Sequence, residues 1–297
     1  MNASYITPAI TLFKQDGSLD KENQKALYEN LIKNNIDGIL VQGSIGEFFA
    51  MTMKKRLELA EFAIKTINHR TQCLIGTASM VPEQIVPYSN ECLELGADAV
   101  VIIPPYYFKL DSDAIFRYFD EIISKINGDV YLYNFPDRTG YSMDAQTILK
   151  LAKKHKNLKG IKDTISGMDH TRELINIIKS EIPEFKVYSG FDDNTAHNVL
   201  SGGDGCIGGI SNVIPELCSK WINAMRNDDF KTVAECQQKI NRLMEIYSIS
   251  NNFIPVIKQA AKLRGIISST NCIFPSAQTD EIQTEKIKNL LSNEGFL

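Results

Sequence analysis

The chain has 297 residues and a formal net charge of −4; 43% of its residues are hydrophobic and 23% are charged. These values are typical of a soluble globular protein with enough apolar material for one large domain or two small ones. The weak negative charge without a basic stripe argues against nucleic acid or an anionic membrane as a partner, and no apolar run reaches the ~18 residues needed to span a bilayer.

The six cysteines include no C-x-x-C pair and no cysteine–histidine cluster with the spacing of a zinc site. We therefore expect free thiols in a reducing compartment and no bound metal. Residues 1–7 lack a basic stretch followed by an apolar one, so no secretory signal is predicted and a cytoplasmic location is expected.

Short apolar runs rich in β-branched residues alternate along the chain with longer amphipathic segments. Eight of these runs are predicted strands, at residues 6–12, 38–42, 73–77, 99–103, 130–134, 158–162, 187–189 and 205–209. They are almost continuously apolar, as expected for parallel strands covered on both faces.

The intervening segments predict helices at 20–35, with Asp20 as N-cap, and at 52–68, 111–125, 144–154, 170–180 and 193–201. Helices at 215–226, 228–247, 255–265 and 279–292 then follow with no strand between them. This order predicts a (β/α)8 TIM barrel over residues 1–214, with C-terminal helices 215–297 packed on it as part of the same structural unit. A doubly wound sheet is the alternative, but the glycine-rich turn that often follows its first strand is missing.

Reactive groups of such barrels lie at the C-terminal ends of the strands, and Lys162 ends the predicted sixth strand. Partial desolvation at this position disfavours the ammonium form, and a neutral amine is the species that attacks a ketone. The alternative is that Lys162 pairs with Asp163 or extends to solvent. Position alone leaves both interpretations open.

Other polar groups follow neighbouring strands. Tyr133 could transfer protons or be a core tyrosine, and residues 43–46 could form a nest of N–H groups for a carboxylate or an ordinary turn. Arg138 could bind a second carboxylate or be solvated, and Asp192 and Asp193 could bind substrate hydroxyls or cap the next helix. The four histidines are interpreted as surface or hydrogen-bonded residues rather than ligands.

Three of these strand ends together resemble those of a known family. The segments are Gly43-Ser44-Ile45-Gly46-Glu47, Tyr133-Asn134-Phe135-Pro136 and Gly160-Ile161-Lys162-Asp163. In this order they resemble the dihydrodipicolinate synthase / N-acetylneuraminate lyase family of class I, Schiff-base aldolases, and the resemblance extends along essentially the whole chain. It favours the catalytic interpretation of Lys162 and Tyr133.

The resemblance implies a division of roles. Lys162 would form an imine with pyruvate or a 2-oxo acid, and Tyr133 would relay protons together with Ser44. Tyr107 would complete the relay, in similar enzymes from the neighbouring subunit, and the N–H groups of Ser44 and Ile45 would hold the pyruvyl carboxylate. Such proteins are usually homotetramers, arranged as dimers of dimers, and need no metal or organic cofactor.

The segments disagree about the second substrate. Arg138 resembles the arginine of 4-hydroxy-tetrahydrodipicolinate synthases, whereas the segment Gly190-Phe191-Asp192-Asp193 resembles aldolases of 2-keto-3-deoxy sugar acids. We predict such an aldolase, releasing pyruvate, with substrate-binding residues Ser44, Ile45, Arg138, Gly190, Asp192, Asp193 and Ile207. The synthase is the first alternative. N-acetylneuraminate lyase is the second, made less favourable by Gly209, and a non-enzymatic oxo-acid binder would need neither Lys162 nor Tyr133.

Overall fold

The computed structural model describes residues 1–297, and its central feature is a closed barrel of eight parallel strands in chain order. The strands are β1 (Ser4–Pro8), β2 (Gly38–Val41), β3 (Gln72–Gly76), β4 (Ala99–Ile102), β5 (Val130–Asn134), β6 (Leu158–Asp163), β7 (Lys186–Ser189) and β8 (Gly205–Ile207). The predicted (β/α)8 barrel is thus confirmed.

Twelve α-helices accompany the strands. They are α1 (Lys21–Lys33), α2 (Met53–Ile67), α3 (Ile85–Glu94), α4 (Ser112–Ile123), α5 (Pro136–Thr139), α6 (Ala145–Lys154), α7 (Asp169–Ile178), α8 (Thr195–Leu200), α9 (Pro215–Arg226), α10 (Phe230–Leu243), α11 (Phe253–Leu263) and α12 (Glu281–Asn293). The carboxylate of Asp20 accepts a hydrogen bond from the N–H of Asn23 at 3.2 Å, which confirms the predicted cap of α1. Such a cap stabilises a helix by about 1 kcal/mol.

Several predicted boundaries are wrong. The first strand ends at Pro8 rather than at residue 12, and the eighth ends at Ile207 because a 3₁₀ turn begins at Gly209. The predicted helix 228–247 continues beyond α10 only as a 3₁₀ segment, Met244–Ser248. Helix α3 lies in a segment where no helix is predicted, and it accommodates Pro87 in its first turn, where a proline ring is tolerated.

The residues fall into two compact units, Met1–Ser4 with Leu74–Ile207, and Tyr5–Cys73 with Gly208–Leu297. In the first unit, Leu132 and Ile161 are fully buried, and in the second Leu40, Trp221 and Val256 are. The division at residue 214 stays a prediction. All six cysteines are free thiols, as predicted, and no helix is long and apolar enough to cross a membrane.

Candidate active site

Lys162 and Tyr133 lie side by side on adjacent strands. The pairing of β5 with β6 sets Tyr133 directly opposite Lys162, and Nζ of the lysine lies 4.4 Å from the centre of the tyrosine ring. Both side chains are 4% exposed. Lys162 therefore does not extend to solvent, and its amine is held against the face of a phenol that can carry a proton.

The carboxylate of Asp163 is occupied by other partners. It accepts hydrogen bonds from Nδ2 of Asn134 at 2.8 Å and Oγ1 of Thr171 at 2.6 Å, and both of its oxygens lie 3.0 Å from Nδ1 of His170. Lys162 thus does not pair with Asp163. The close aromatic neighbour of its Nζ is the ring of Tyr133.

An aromatic stack extends from Lys162 to Arg138. The ring of Tyr133 stacks on that of Phe135 with 5.7 Å between centres, and the guanidinium of Arg138 lies 5.1 Å from the centre of the Phe135 ring. Arg138 is exposed and its one hydrogen bond goes to the neighbouring carbonyl of Asp137, at 3.3 Å. Most of its five N–H donors are therefore available to an anion.

Thr164 is a site residue that the sequence did not single out. It follows Lys162 by two residues, so both side chains point to the same side of the strand. Its Oγ1 is buried and has no hydrogen-bond partner, which is costly unless a ligand satisfies it. Gly190 approaches it so closely that a Cβ at position 190 would lie 1.8 Å from that oxygen.

The two aspartates after β7 differ in exposure. Asp192 is buried, whereas Asp193 is half-buried, and burial raises the pKa of the Asp193 carboxyl. Helix α8 begins at Thr195 with Asn194 in the N-cap position, so neither aspartate occupies the cap position that was one of their two possible roles. Ile207 ends β8 and is fully buried.

In the second unit, residues Ser44–Gly46 form a 3₁₀ turn after β2. Ser44 is half-buried and Ile45 is buried, and the N–H of Ile45 donates to no group of the chain. A free N–H at the start of such a turn is a ready donor for a carboxylate. Glu47 ends the turn with a φ of 58°, in the left-handed region.

A buried ion pair anchors this turn. Nζ of Lys258, from α11, lies 2.5 Å from the carboxylate of Glu47, and both side chains are at most 1% exposed. The same ammonium donates to the carbonyl of Asn271 at 2.8 Å, and the N–H of Ile273 donates to Glu47 at 2.9 Å. The sequence carries a signal for this pair, because Lys258 directly follows the apolar run 253–257.

Tyr107 lies in the loop between β4 and α4, with 79% of its surface exposed. Its ring packs edge-to-face against Phe108, which is 75% exposed, with 5.0 Å between the ring centres. Its hydroxyl has no partner within the chain. The described residues contain no group of three or more His, Cys, Asp or Glu side chains arranged to hold a metal ion.

Comparisons with known proteins agree along the whole chain. The dihydrodipicolinate synthetase family matches residues 1–294. The chain is 35% identical over 292 residues to an Escherichia coli K12 protein named a probable 2-dehydro-3-deoxy-D-pentonate aldolase, YjhH, covering 98% of this chain and 97% of that protein. It is 33% identical to the 4-hydroxy-tetrahydrodipicolinate synthase of Kosmotoga olearia, covering 97% of each chain.

Among solved structures, a crystal structure of YagE in complex with pyruvate is similar to this fold with a TM-score of 0.97. YagE is a prophage protein of E. coli K12 that belongs to the dihydrodipicolinic acid synthase family. The two chains are 34% identical, and the match covers 99% of each.

Proposed function

The chain belongs to the dihydrodipicolinate synthetase family, and on this basis we propose that it is a class I aldolase that cleaves a 2-keto-3-deoxy sugar acid into pyruvate and an aldehyde. The observation that carries the proposal is the buried amine of Lys162, 4.4 Å from the ring centre of Tyr133 on the paired strand. The name of the relative YjhH supports a sugar-acid substrate.

The reaction needs one nucleophile and one proton carrier. The neutral amine of Lys162 attacks the C2 carbonyl of the substrate and loses water to give an imine, which becomes protonated. The C4 hydroxyl then gives up its proton, the C3–C4 bond breaks, and its electron pair enters the protonated imine to form an enamine. After the aldehyde leaves, a proton adds to C3, and hydrolysis releases pyruvate and regenerates Lys162. Tyr133 is the phenol that we propose as the proton carrier.

Ser44 and Ile45 are proposed to bind the pyruvyl carboxylate, and the free N–H of Ile45 supports this role. Ser44 is also proposed to share the proton relay with Tyr133. Tyr107 would complete that relay in a neighbouring copy of a homotetramer, a proposal supported by the exposure of Tyr107 and Phe108. No organic cofactor has a part in this chemistry, because the imine itself accepts the electron pair.

The distal part of the substrate is proposed to contact the exits of β6 and β7. The unpartnered hydroxyl of Thr164 and the carboxylates of Asp192 and Asp193 offer hydrogen bonds to a polyol, close to Gly190. Ile207, at the end of β8, is proposed to line the same space. Arg138 would bind an anionic end of the aldehyde.

The second candidate is 4-hydroxy-tetrahydrodipicolinate synthase, which joins pyruvate to aspartate semialdehyde. The exposed guanidinium of Arg138 favours it, because an arginine can bind the carboxylate of that aldehyde through two hydrogen bonds. Pyruvate release from 2-keto-3-deoxy-D-pentonate and 2-keto-3-deoxygluconate should be compared with condensation of pyruvate and aspartate semialdehyde by the same enzyme. A kcat/KM for the condensation equal to or above that for cleavage would replace the aldolase proposal with the synthase.

Imine formation is tested separately from substrate choice. Borohydride reduction in the presence of pyruvate should add one reduced pyruvyl group to the wild-type chain, detected by intact mass and located at Lys162 by peptide mapping. Lys162→Ala should show no adduct, and the exposed Lys109→Ala serves as the control. An unmodified wild type, or an adduct that persists in Lys162→Ala, contradicts the Schiff-base mechanism.

A further inference from the structure

The residues that follow Tyr133 and Lys162 lie behind them. The pairing of β5 with β6 continues from Tyr133 opposite Lys162 to Asn134 opposite Asp163. Successive residues of a strand point to opposite faces of the sheet, so Asn134 and Asp163 face away from the catalytic pair. Whatever fixes these two side chains also fixes the relative position of the two reactive ones.

Asp163 is fully enclosed at this place, with a side chain that is 0% exposed. A buried carboxylate is tolerated only when hydrogen bonds or an opposite charge compensate for the loss of water. Asn134 and Thr171 supply neutral donors, at 2.8 and 2.6 Å. The remaining partner is the ring of His170, in the first turn of α7.

Each ring nitrogen of His170 lies closest to oxygen atoms that accept hydrogen bonds, and Nε2 also lies 3.5 Å from the hydroxyl oxygen of Ser142. Nδ1 lies 3.0 Å from each oxygen of Asp163, and Nε2 lies 2.7 Å from the carbonyl oxygen of Met143. A neutral imidazole has one donor and one lone pair, so it would set that lone pair against an oxygen in one of the two contacts. Only the doubly protonated imidazolium satisfies both contacts.

The surrounding charges favour the same protonation state. Burial opposes a charge on the ring, but the hydrogen bond and negative charge of Asp163 on β6, the carbonyl of Met143 and the charge of Glu173 on α7 together raise the pKa of His170. A positively charged His170 therefore compensates the buried carboxylate of Asp163.

These contacts close into a ring of hydrogen bonds. His170 donates to Met143 and Asp163, Asn134 donates to Asp163, and the N–H of Met143 donates to Oδ1 of Asn134 at 3.1 Å. The ring joins α7 and the segment before α6 to both catalytic strands. A neutral His170 would open it at one contact.

We propose that His170 is a positioning residue whose positive charge closes this ring and so holds Lys162 and Tyr133 in register for imine formation. The proposal rests on the imine-forming role of Lys162. It implies that the rate of imine formation with pyruvate falls on the alkaline side of its pH profile, as His170 loses its proton. This fall in rate is opposite to the general behaviour of an amine nucleophile, whose attack becomes faster at higher pH because more of it is neutral.

The first test is an NMR titration of the wild type, which has only four histidines. The ring signals of His170 are assigned by their loss in His170→Gln. We expect a midpoint above the unperturbed value of about 6.5, with both ring nitrogens protonated at pH values below that midpoint. If the ring of His170 is neutral at pH values below about 6.5, the proposal is overturned. This result depends neither on pyruvate nor on any catalytic assay.

The second test measures the rate of borohydride trapping with pyruvate as a function of pH. We expect the wild-type trapping rate to fall as pH rises through the midpoint found by NMR. His170→Gln should be slower by about tenfold, and at most ~10²-fold, and its rate should show no such fall with rising pH. The matched control is His155→Gln, since the side chain of His155 is 8% exposed against 16% for His170 and contacts Asp120 at 2.7 Å, but His155 precedes β6 rather than following it. This control should retain the wild-type profile.

The outcomes distinguish the two proposals. A wild type that gives no adduct at any pH contradicts the Schiff-base mechanism, whereas a normal adduct with no limb at the His170 midpoint contradicts the positioning role alone. The same conclusion follows if His170→Gln keeps the wild-type rate and profile. Should this variant fail to fold, the ring signals of His170 are assigned as the set that remains in His69→Gln, His155→Gln and His197→Gln, and the coincidence of the wild-type limb with the NMR midpoint still decides the question.

Discussion

Gly190→Ala tests the contact between the exits of β6 and β7. The added Cβ would lie 1.8 Å from Oγ1, 2.6 Å from Cβ and 2.9 Å from Cα of Thr164. Rotation of the Thr164 side chain can move only the first of these atoms. The other two require the strand to shift by about 0.8 Å before ordinary van der Waals contact is restored. Because Lys162 lies two residues earlier on this strand, the shift should reach the amine.

We expect Gly190→Ala to lower the free energy of unfolding by about 1–3 kcal/mol, the usual cost of overpacking. Urea denaturation followed by circular dichroism measures this loss, and borohydride trapping with pyruvate should slow by about tenfold or more. Gly167→Ala is the control, since a Cβ there would meet nothing within 4 Å.

A second variant identifies the contact as the cause. Thr164→Gly combined with Gly190→Ala removes the two closest atoms and leaves only the 2.9 Å approach to Cα. We expect the double variant to regain stability relative to Gly190→Ala alone, after allowance for the cost of Thr164→Gly by itself. If Gly190→Ala matches Gly167→Ala in both stability and trapping rate, the steric reasoning is refuted.

Three further predictions concern charge. Lys258→Met should lower the free energy of unfolding by about 3–5 kcal/mol, because it leaves the carboxylate of Glu47 buried without its counter-charge. The control Lys21→Met, in an exposed ion pair, should lower it by at most about 1 kcal/mol. Adding Glu47→Gln to Lys258→Met should recover much of the larger loss, as measured by urea denaturation. The pKa of His170 is raised in the folded state, so its contribution to stability should be complete at pH below about 6.5 and should disappear as pH rises through the folded-state pKa. The difference in free energy of unfolding between wild type and His170→Gln should therefore shrink over that pH range. A difference that stays constant with pH would contradict this prediction. Arg138→Ala should raise KM for an aldehyde with a distal carboxylate by about tenfold while leaving pyruvate trapping unchanged, and an equal loss in both assays would assign Arg138 a different role.

The barrel was predictable because its strands are nearly continuous apolar runs whose period and spacing the sequence displays directly. The end of β1 was not. Residues 9–12 are as apolar as the strand, but the N–H of Ile10 donates to Asn212 at 3.0 Å and that of Leu12 to Gln24 at 2.9 Å. A run of apolar residues looks the same whether its N–H groups meet a neighbouring strand or a side chain 202 residues away.

The candidate site shows the same limit. Lys162 and Tyr133 could be proposed as neighbours because each lies one residue before the end of its strand, and the ends of parallel strands meet at one end of a barrel. The unpartnered hydroxyl of Thr164 and the contacts of Lys258 could not, because they depend on atoms from other elements. The sequence predicts His170 to be either a surface or a hydrogen-bonded residue, and its contacts agree with the second; only the two distances from its ring show which protonation state they require.

The contacts of Arg138 have a consequence for how specificity can evolve. Its guanidinium donates to the carbonyl of Asp137 and lies over the ring of Phe135, both within its own short segment, and its side chain is exposed. An exchange at position 138 therefore disturbs little of the fold, since exposed substitutions usually change stability by no more than about 0.5 kcal/mol. Lys162, in contrast, is enclosed by both strands. A gene of this kind can thus acquire a new aldehyde partner by single substitutions while the pyruvate chemistry is inherited intact.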